Sequence, residues 1–379
     1  MKGVTKGNIK KYALNEFLKE YKELNTDNKY RPVAVGRYGI RKRESIYSKE
    51  LAKDYSKNKL IHKGTLTVGM GSKQIDIGIL IEDETFAVSP AYHTYEIQGI
   101  RCKYLEYCLQ SKNIEMFSLY AKRGSRQGKS IDLKRWLTYK IPVYSEKDQI
   151  VIEENLNKIN YVIELRRKQI DLLDELIKAR FVEMFGDPFL NEKGWITKPL
   201  IDMGNCKNGM NFHYNENGCE VKCLGVGDFK DLSIINNIES LQTVSLNEMP
   251  SEEYMLRDND IVFVRSNGNK ALVGRSIVIY PGDVPTTFSG FCIRYRKYDD
   301  SIIVPYLLHV LKTDSFRNKM VGRGANIQNL NQQILASLII PVPPLQLQNQ
   351  FALFVQEIDK SRLRELLAIK HIKLLLKNL

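Results

Sequence analysis

The sequence repeats part of itself 199 residues further along the chain. The segment IPVYSEKDQ (141–149) is matched by IPVPPLQLQ (340–348), so that Gln149 falls on Gln348. An internal repeat indicates that one structural unit occurs twice, so every motif has to be interpreted in both copies. The chain must therefore fold into two related parts.

Further matching segments follow in the same order and at nearly the same interval. They pair 65–81 with 261–279 (matching Gly78 with Gly274), 86–92 with 287–293, and 121–130 with 321–330. Each half thus contains a strand-rich body, a helix, a glycine-containing turn, a short apolar stretch, an Ile-Pro pair and a long helix. Trp136 and Leu335 match at the same interval, and we expect both in the core.

The two segments after the Ile-Pro pairs are predicted to be long helices. Ser145 and Asp148 have nearly the spacing of a capping box, and Pro343 and Pro344 suit the start of the second helix. Apolar residues then recur at steps of three and four, which is typical of a coiled-coil seam. The seam residues are Leu156, Ile159, Ile163, Ile170, Leu173, Ile177, Phe351, Val355, Ile358, Ile369, Ile372 and Leu376.

The predicted fold is α+β: two α/β bodies of a tandem repeat, separated by two long helices packed as an antiparallel coiled coil. The bodies are assigned to residues 1–144 and 187–341, and the helices to 145–186 and 342–379. Arg166 occupies a seam position and matches Glu365 in the repeat, so an ion pair or two solvated charges could lie there. In the alternative arrangement, each helix packs only on its own body.

The composition excludes several classes of protein. Apolar residues make up 43% and charged residues 27% of the 379 residues, as in a globular chain of more than one domain. No apolar run approaches the roughly 18 residues of a membrane span, and the N-terminal segment lacks the apolar core of a signal peptide. We therefore expect a cytoplasmic protein without a membrane partner. The net charge of +13 fits either a polyanionic partner or a lysine-rich surface that maintains solubility.

The segment RGSRQGKS (123–130) resembles a nucleotide-binding P-loop. Its glycines enclose three residues instead of four, and the residues before it have the spacing of a helix instead of a strand. The matching segment GRGANIQNL (322–330) lacks the Lys and Ser but retains Arg and side-chain amides. The shared feature is a turn suited to nucleic acid. An ATP-dependent DNA-handling enzyme that uses Gly128, Lys129 and Ser130 is the alternative.

Signals for metal binding and catalysis are weak. Cys206, His213, Cys219 and Cys223 are close in sequence, but they form no CxxC pair and lie among glycines and asparagines, so we expect no metal. An adenine methyltransferase needs an Asn/Asp-Pro-Pro-aromatic motif, whereas Val342 precedes the Pro-Pro pair here. HExxH and GxSxG motifs are also absent. We expect a non-catalytic protein with no cofactor of its own.

Over nearly its whole length the chain resembles the specificity (S) subunits of type I restriction–modification systems. The resemblance is carried by the turns IPVYSEKDQ and IPVPPLQLQ before the long helices and by LIKARFVEMFGDP (176–188). The first turn departs from the second, with Tyr144-Ser145 in place of Pro-Pro. The resemblance implies that each body is a target-recognition domain for one half of a split DNA site, and that the helices form a spacer.

The resemblance also implies the partners. They are double-stranded DNA, two adenine-N6 methyltransferase (M) subunits and the restriction/translocase (R) subunits. S-adenosylmethionine and ATP would then be bound by the partner subunits. A protein scaffold whose basic surface has no specific role is a further alternative.

The candidate DNA-binding residues lie in the polar turns of the two bodies. Arg pairs with guanine, Asn and Gln pair with adenine, and Lys mostly contacts phosphate. In the first body the candidates are Arg37, Arg41, Lys42, Arg43, Lys73, Gln74, Arg123, Arg126, Gln127 and Lys129. In the second body they are Asn208, Asn211, His213, Arg265, Asn267, Asn269, Lys270, Arg323, Asn326, Gln328 and Asn329. Any one of them could instead be a solvated or turn-forming side chain.

Overall fold

The chain forms two compact units. The computed structural model describes residues 10–36, 39–46, 54–123, 129–211, 218–229, 233–321 and 329–377, with Arg123, Lys129, Lys270 and Lys377 described by their backbone alone. The first unit comprises Met1–Leu165 and Ile369–Leu379, and the second comprises Arg166–Ala368. Both long helices therefore contribute to both units.

The first unit combines short strands with helices that follow the sheet. Its strands are β1 Lys10–Ala13, β2 Leu18–Glu20, β3 Val33–Gly36, β4 Gly39–Lys42, β5 Lys59–Ile61, β6 Thr65–Met70, β7 Ile75–Ile79, β8 Phe86–Val88, β9 His93–Ile97, β10 Ala121–Arg123, β11 Lys129–Ile131 and β12 Lys140–Val143. Its helices are α1 Cys102–Ser111, α2 Asn113–Tyr120 and α3 Leu133–Trp136, and α4 Glu146–Phe185 begins in this unit and ends in the second.

The second unit has the same order of elements. Its strands are β13 Thr197–Pro199, β14 Gly204–Asn208, β15 Cys219–Leu224, β16 Ile234–Ile235, β17 Gln242–Leu246, β18 Asp260–Val264, β19 Ser276–Ile279, β20 Thr286–Phe288, β21 Cys292–Lys297 and β22 Ile339–Pro341. Its helices are α5 Val304–Lys312, α6 Asp314–Val321 and α7 Gln332–Ala336, followed by α8 Leu345–Lys377, which ends in the first unit.

The main sheets of the two units have equivalent strand orders. The first is β2-β9-β6-β7, and the second is β14-β21-β18-β19 with β16 added at one edge. Leu66 lies opposite Tyr95 in the first sheet, and Ile261 lies opposite Tyr295 in the second. The tandem repeat predicted from the sequence is confirmed by these matching registers.

One detail of the sequence match is wrong. Gly78 lies inside β7, opposite Thr67, whereas Gly274 precedes β19 and has a φ of +74°. Because Ile79 and Val278 occupy the same place in the two registers, Gly78 corresponds to Ile277. The reason is that the loop between β18 and β19 is longer than the turn between β6 and β7, so a comparison of glycines alone misaligns the hairpins.

Strand β18 shows how the core of the second unit is built. All five of its residues are buried, and alternate side chains point to opposite faces of the sheet. Phe263 packs in a cluster with residues of the helices, such as Tyr306, whereas Val262 packs in a separate cluster with Phe288. A strand covered on both faces has a continuous apolar sequence, as "IVFV" does.

A buried glutamine attaches each long helix to its body. Gln149 Oε1 accepts from the N–H of Arg101 at 3.1 Å, and its Nε2 donates to the carbonyl oxygen of Tyr144 at 2.9 Å. Gln348 Oε1 accepts from the N–H of Ile303 at 2.9 Å, just before α5. Its Nε2 donates to the carbonyl oxygens at positions 301 and 343, at 2.9 and 2.7 Å. The repeated glutamine therefore has the same function in both units.

The Ile-Pro pairs belong to the same attachment. Tyr104 donates from its hydroxyl group to the carbonyl oxygen of Pro142 at 2.7 Å, and Tyr306 donates to that of Pro341 at 3.0 Å. Trp136 and Leu335 are both fully buried, as predicted. The Ile-Pro pair recurs because, in each unit, the carbonyl oxygen of its proline accepts the same hydrogen bond from a tyrosine.

The predicted antiparallel pairing of the long helices is confirmed in the second unit. Arg166 of α4 forms a salt bridge with Glu365 of α8 at 2.5 Å. Further along α4, Phe181 contacts Phe351, which lies earlier on α8, with ring centroids 5.4 Å apart. The alternative in which each helix packs only on its own body is therefore wrong.

The seam residues predicted from the spacing are all buried or half-buried, among them Ile163, Ile177, Val355 and Ile369 at 6–8% exposure. Other leucines of the same helices, such as Leu172, are more than half exposed. The period of three and four thus identified the packed face correctly. No helix among the described residues has the length and apolar character to cross a membrane.

His309 lies in the aromatic cluster where the helices meet the body of the second unit. Its ring is 5.0 Å from that of Phe351 and 6.4 Å from that of Phe181, measured between centroids. Its Nδ1 is 2.8 Å from the carbonyl oxygen of Pro305, so the neutral ring carries its proton on Nδ1 and donates to that oxygen. Burial lowers the pKa of His309 to about 4.

We predict that Gln348→Ala and Gln149→Ala both destabilise the chain. The first variant leaves three buried or partly buried backbone groups without this partner and the second leaves two, so we expect losses of about 3 and about 2 kcal/mol in the free energy of unfolding. Urea unfolding combined with hydrogen exchange in each unit measures both effects. The control is Gln350→Ala, which is exposed. Equal stability of all three variants would contradict the attachment described here.

We predict that His309 makes the stability of the second unit dependent on pH. Its pKa is about 4 in the folded chain against 6.5 when unperturbed, so its contribution is complete above pH 6.5 and is lost as the pH falls towards 4. The loss should be about 2 kcal/mol, allowing for partial exposure of the ring. In the His309→Phe variant, unfolding measured from pH 7 to 4 should lack this component. The exposed His371→Gln should retain it; a parent-like profile in His309→Phe would refute the assignment.

Candidate nucleic-acid interface

Each unit has a cavity at the same place in its fold. The cavity of the first unit has a volume of about 720 Å³, and that of the second about 670 Å³. Ser89 and Ser289, in the turns before β9 and β21, line the two cavities. Ser130 and Asn329 line them as well, and each lies two residues before the residue that caps a short helix, Asp132 before α3 and Asn331 before α7. We name these the first and second recognition cavities.

The second recognition cavity is framed by segments joined through Arg265. The N–H of Arg265 donates to the carbonyl oxygen of Phe291 at 2.8 Å, and its own carbonyl oxygen accepts from Leu330 at 2.9 Å. Its side chain donates from Nη1 to the carbonyl oxygen of Gly290 at 3.4 Å. The turn 289–291 is thus held beside the end of β18 and the segment after position 328.

Two asparagines in the loop between β18 and β19 form hydrogen bonds with the backbone of that loop. Asn267 Oδ1 accepts from the N–H of Asn269 at 2.8 Å, and Asn269 Oδ1 accepts from the N–H of Ala271 at 3.1 Å. These are side-chain turns, in which the carbonyl oxygen is engaged and the amide NH2 remains as the donor group. Asn267 lines the cavity, whereas Asn269 is exposed and does not.

Asn211 packs over the turn at Gly290. A Cβ at Gly290 would lie 2.0 Å from Asn211 Oδ1, so a larger residue there would displace the side chain of Asn211. The predicted residues Asn211, Arg265, Asn267 and Asn329 are therefore brought together around the turn 289–291.

Asn208 differs from that group because it lies within β14, opposite Ile293. Its Oδ1 is buried and finds no hydrogen-bond partner among the described residues. Other predicted residues of this body, namely His213, Arg323, Asn326 and Gln328, lie outside the described residues, and Lys270 is described by its backbone alone.

The first recognition cavity contains one predicted residue, Arg43. Arg41 and Lys42 are exposed at the end of β4, where Lys42 lies 3.7 Å from Glu84. Lys73 and Gln74 lie in the turn between β6 and β7, and they do not line the cavity. Arg37, Arg126 and Gln127 lie outside the described residues.

The backbone at Lys129 argues against the P-loop alternative. Lys129 and Ser130 begin strand β11, where Lys129 lies opposite Arg123 of β10. A P-loop instead leads into the N-terminus of a helix, whose N–H groups bind the phosphates. Lys129 and Ser130 therefore lack the backbone geometry of a nucleotide site.

Cys206 and Cys223 of the candidate zinc set have the character of neutral thiols. Burial raises the pKa of Cys206 to about 11 and that of Cys223 to about 12. Across the described part of the chain, no three His, Cys, Asp or Glu side chains form a group that could hold a metal ion. His213, the fourth member of the candidate zinc set, lies outside that part.

Several cavity residues were missed from the sequence. In the second unit they include Phe291, which is 61% exposed beside the cavity, and Gln242. In the first unit they include His93, whose pKa is lowered by burial and by the charge of Lys59. The match between 86–92 and 287–293 was a usable signal, because Phe291 lies in it.

A protein-family model, described as the type I restriction modification DNA specificity domain, matches residues 192–371. Residues 192–371, slightly less than half of the chain, are therefore similar to the DNA specificity domain of type I restriction–modification systems. The matched region contains the second recognition cavity and most of α8.

This chain is similar, at low identity, to curated type I specificity subunits. It is 24% identical over 238 residues to the StySPI specificity subunit of Salmonella potsdam, a match that covers 58% of this chain and 50% of the relative. It is 27% identical over 161 residues to the EcoKI specificity subunit of Escherichia coli K12, covering 40% and 33%. The chain thus spans about half the length, or less, of these curated relatives.

One solved structure supports the fold. It is described as "Structural basis underlying complex assembly and conformational transition of the type I R-M system", and its chain aligns over 100% of this one and 97% of its own length. The TM-score is 0.58 at 16% identity. The similarity therefore supports the two-unit architecture with long helices.

Proposed function

We propose that this chain is a non-catalytic, sequence-specific DNA-recognition subunit that reads a bipartite target, one half-site with each unit. The observation that carries the proposal is the pair of recognition cavities, which share a framework but differ in lining. A shared framework with Ser130 in one cavity and Asn329 in the other is suited to reading two different sequences at equivalent places.

The chemistry of the second recognition cavity fits the edges of base pairs. Asn267 and Asn329 line the cavity and supply side-chain amides, which pair with adenine. Beside the cavity, at Gly290, Asn211 supplies a further amide and Arg265 supplies a guanidinium group, which pairs with guanine. Phe291 presents an exposed aromatic ring for apolar contact with a thymine methyl group or a sugar. The first cavity offers Arg43 and the hydroxyl group of Ser130 instead.

The charge of the chain fits the DNA backbone. The net charge of +13 provides the sequence-independent part of the affinity, through release of counterions from phosphates. The predicted basic and amide residues of the turns 123–130 and 322–330 flank Ser130 and Asn329, which line the cavities. We propose that these turns complete the two recognition surfaces.

We further propose that the long helices bind two adenine-N6 methyltransferase (M) subunits, which the restriction/translocase (R) subunits join. Exposed leucines on these helices support a protein interface: Leu165, Leu172 and Leu176 on α4, and Leu363, Leu367 and Leu374 on α8, are 46–59% exposed. S-adenosylmethionine and ATP would be bound by those partners. The assembly would act on DNA in the cytoplasm.

We predict that DNA affinity falls steeply with salt. Each neutralised phosphate contributes about −0.9 to the slope of log K against log salt concentration, so a footprint of several phosphates gives a slope well below −3. Fluorescence anisotropy of the purified complex on a target duplex, between 50 and 300 mM salt, measures the slope. A flat response would favour the scaffold alternative.

We predict that Arg265→Ala and Arg43→Ala each impair one half-site only. If the contact is a bidentate pair with a base, its loss costs about 1–3 kcal/mol and relaxes that position. Sequencing of adenine methylation in cells that carry each variant, with its M subunits, reports both half-sites at once. Lys360→Gln, an exposed lysine on α8, is the control and should leave the motif unchanged. Equal loss at both half-sites in either variant would refute the assignment of one reader to each unit.

A further inference from the structure

The second unit contains another cavity, between its helices and its sheet. It has a volume of about 900 Å³ and shares no lining residue with the second recognition cavity. Five cationic side chains line it, against three carboxylates. Its volume is in the range of small-molecule sites. We name it the cationic cavity.

Two of the cations are held by neutral acceptors. Lys312 donates to the hydroxyl group of Ser233. Arg317 donates from Nη2 to the carbonyl oxygens of Ala271 and Val273, at 3.0 and 3.3 Å. Within the described part of the chain, neither Lys312 nor Arg317 forms a salt bridge, so their charges face the cavity without a bonded carboxylate.

Two arginines add to the positive charge. Arg275 donates to the carbonyl oxygen of Phe229 at 3.3 Å, and Arg362 lies 3.5 Å from a carboxylate oxygen of Asp174. Burial, followed by the charge of Arg362, lowers the pKa of Lys312 to about 8. Burial and then the charge of Arg275 lower the pKa of Arg317. Cationic groups that lower one another's pKa are stabilised in their charged form when an anion binds between them.

The first unit lacks these cations, although its fold is equivalent. By strand register Arg275 corresponds to Asp76, and at the repeat interval of 199 residues Arg362 corresponds to Ile163. Counted from Tyr104 and Tyr306, which make equivalent hydrogen bonds, Lys312 corresponds to Gln110. Arg317 bonds the loop before β19, whereas in the first unit the neutral Asn113, at the start of α2, bonds the backbone of Ile75 in β7. The fold therefore does not require the cations, and their presence in one unit calls for a functional explanation.

We propose that the cationic cavity binds a small oligophosphate, such as the triphosphate group of a nucleotide, through Arg275, Lys312, Arg317 and Arg362. Phosphate oxygens accept paired hydrogen bonds from guanidinium groups and point-charge contacts from an ammonium group. The five cations of the lining outnumber the carboxylates of Asp171, Asp174 and Asp359, so a chain of phosphates with three or more negative charges is attracted more strongly than it is repelled. The site lies outside the recognition cavities, so it would sense a ligand independently of the DNA sequence.

The test is calorimetric titration of the full chain with inorganic tripolyphosphate at constant ionic strength. We expect one site in the parent chain. Lys312→Gln, which installs the residue of the first unit, should weaken binding roughly tenfold, since one charge-assisted contact is lost. Lys360→Gln changes the net charge equally but lies outside the cavity, and it should bind like the parent.

A second variant keeps the proposal testable if Lys312→Gln does not fold. Asp359 lines the cavity, so its carboxylate repels an anion bound there. Asp359→Asn removes a repelling carboxylate and should bind tripolyphosphate several-fold more tightly. Unchanged or weaker binding by this variant would overturn the proposal.

Titration with ATP separates the possible sources of the oligophosphate. Tighter binding of ATP than of tripolyphosphate supports a nucleotide ligand, and equal binding supports recognition of the phosphate chain alone. Equal affinities of Lys312→Gln and Lys360→Gln, or no binding by the parent, would refute the site. A parallel loss of DNA affinity in Lys312→Gln would assign the cations to the DNA backbone instead.

Discussion

The architecture depends on a buried glutamine, which occupies the equivalent position in each unit. Gln149 and Gln348 each connect the first residues of a body helix to the chain segment that starts a long helix. An amide can accept and donate at the same time, whereas a carboxylate cannot donate and an apolar side chain can do neither. Because the amide is buried, its bonds are not exchanged for bonds to water, and each helix leaves its body in a direction fixed by the backbone.

The sequence predicted the parts of the fold that depend on periodicity and repetition. The seam residues such as Ile163 and Ile369 were identified because a packed helical face repeats every three or four residues. The glutamine, the Ile-Pro pair and the positions of Trp136 and Leu335 were identified because each occurs twice. Strand registers were not accessible in this way, and the misplaced match of Gly78 with Gly274 shows that a loop of different length defeats a comparison by spacing.

The candidate sites were only partly predictable. Arg265, Asn267 and Asn329 were selected for their chemistry, and the fold places them around one turn, but Phe291 was missed because an aromatic residue near a strand is usually core. The cationic cavity gave no local signal at all. Lys312 and Arg362 are separated by fifty residues of sequence that include α6 and α7, and they share a cavity because α8 packs back on the sheet.

The salt bridge between Arg166 and Glu365 joins the same position of the two repeats. If a single repeat associated with an identical copy in this antiparallel manner, each residue at that position would face its own kind, and either Arg against Arg or Glu against Glu would repel. Opposite charges at one repeat position require two different residues, and a homodimer cannot encode them. Two copies that can diverge, as the two halves of this chain have done, are free of that restriction, so the pair marks a step of divergence after the duplication. In the proposed function, the same freedom allows the two units to read unlike half-sites.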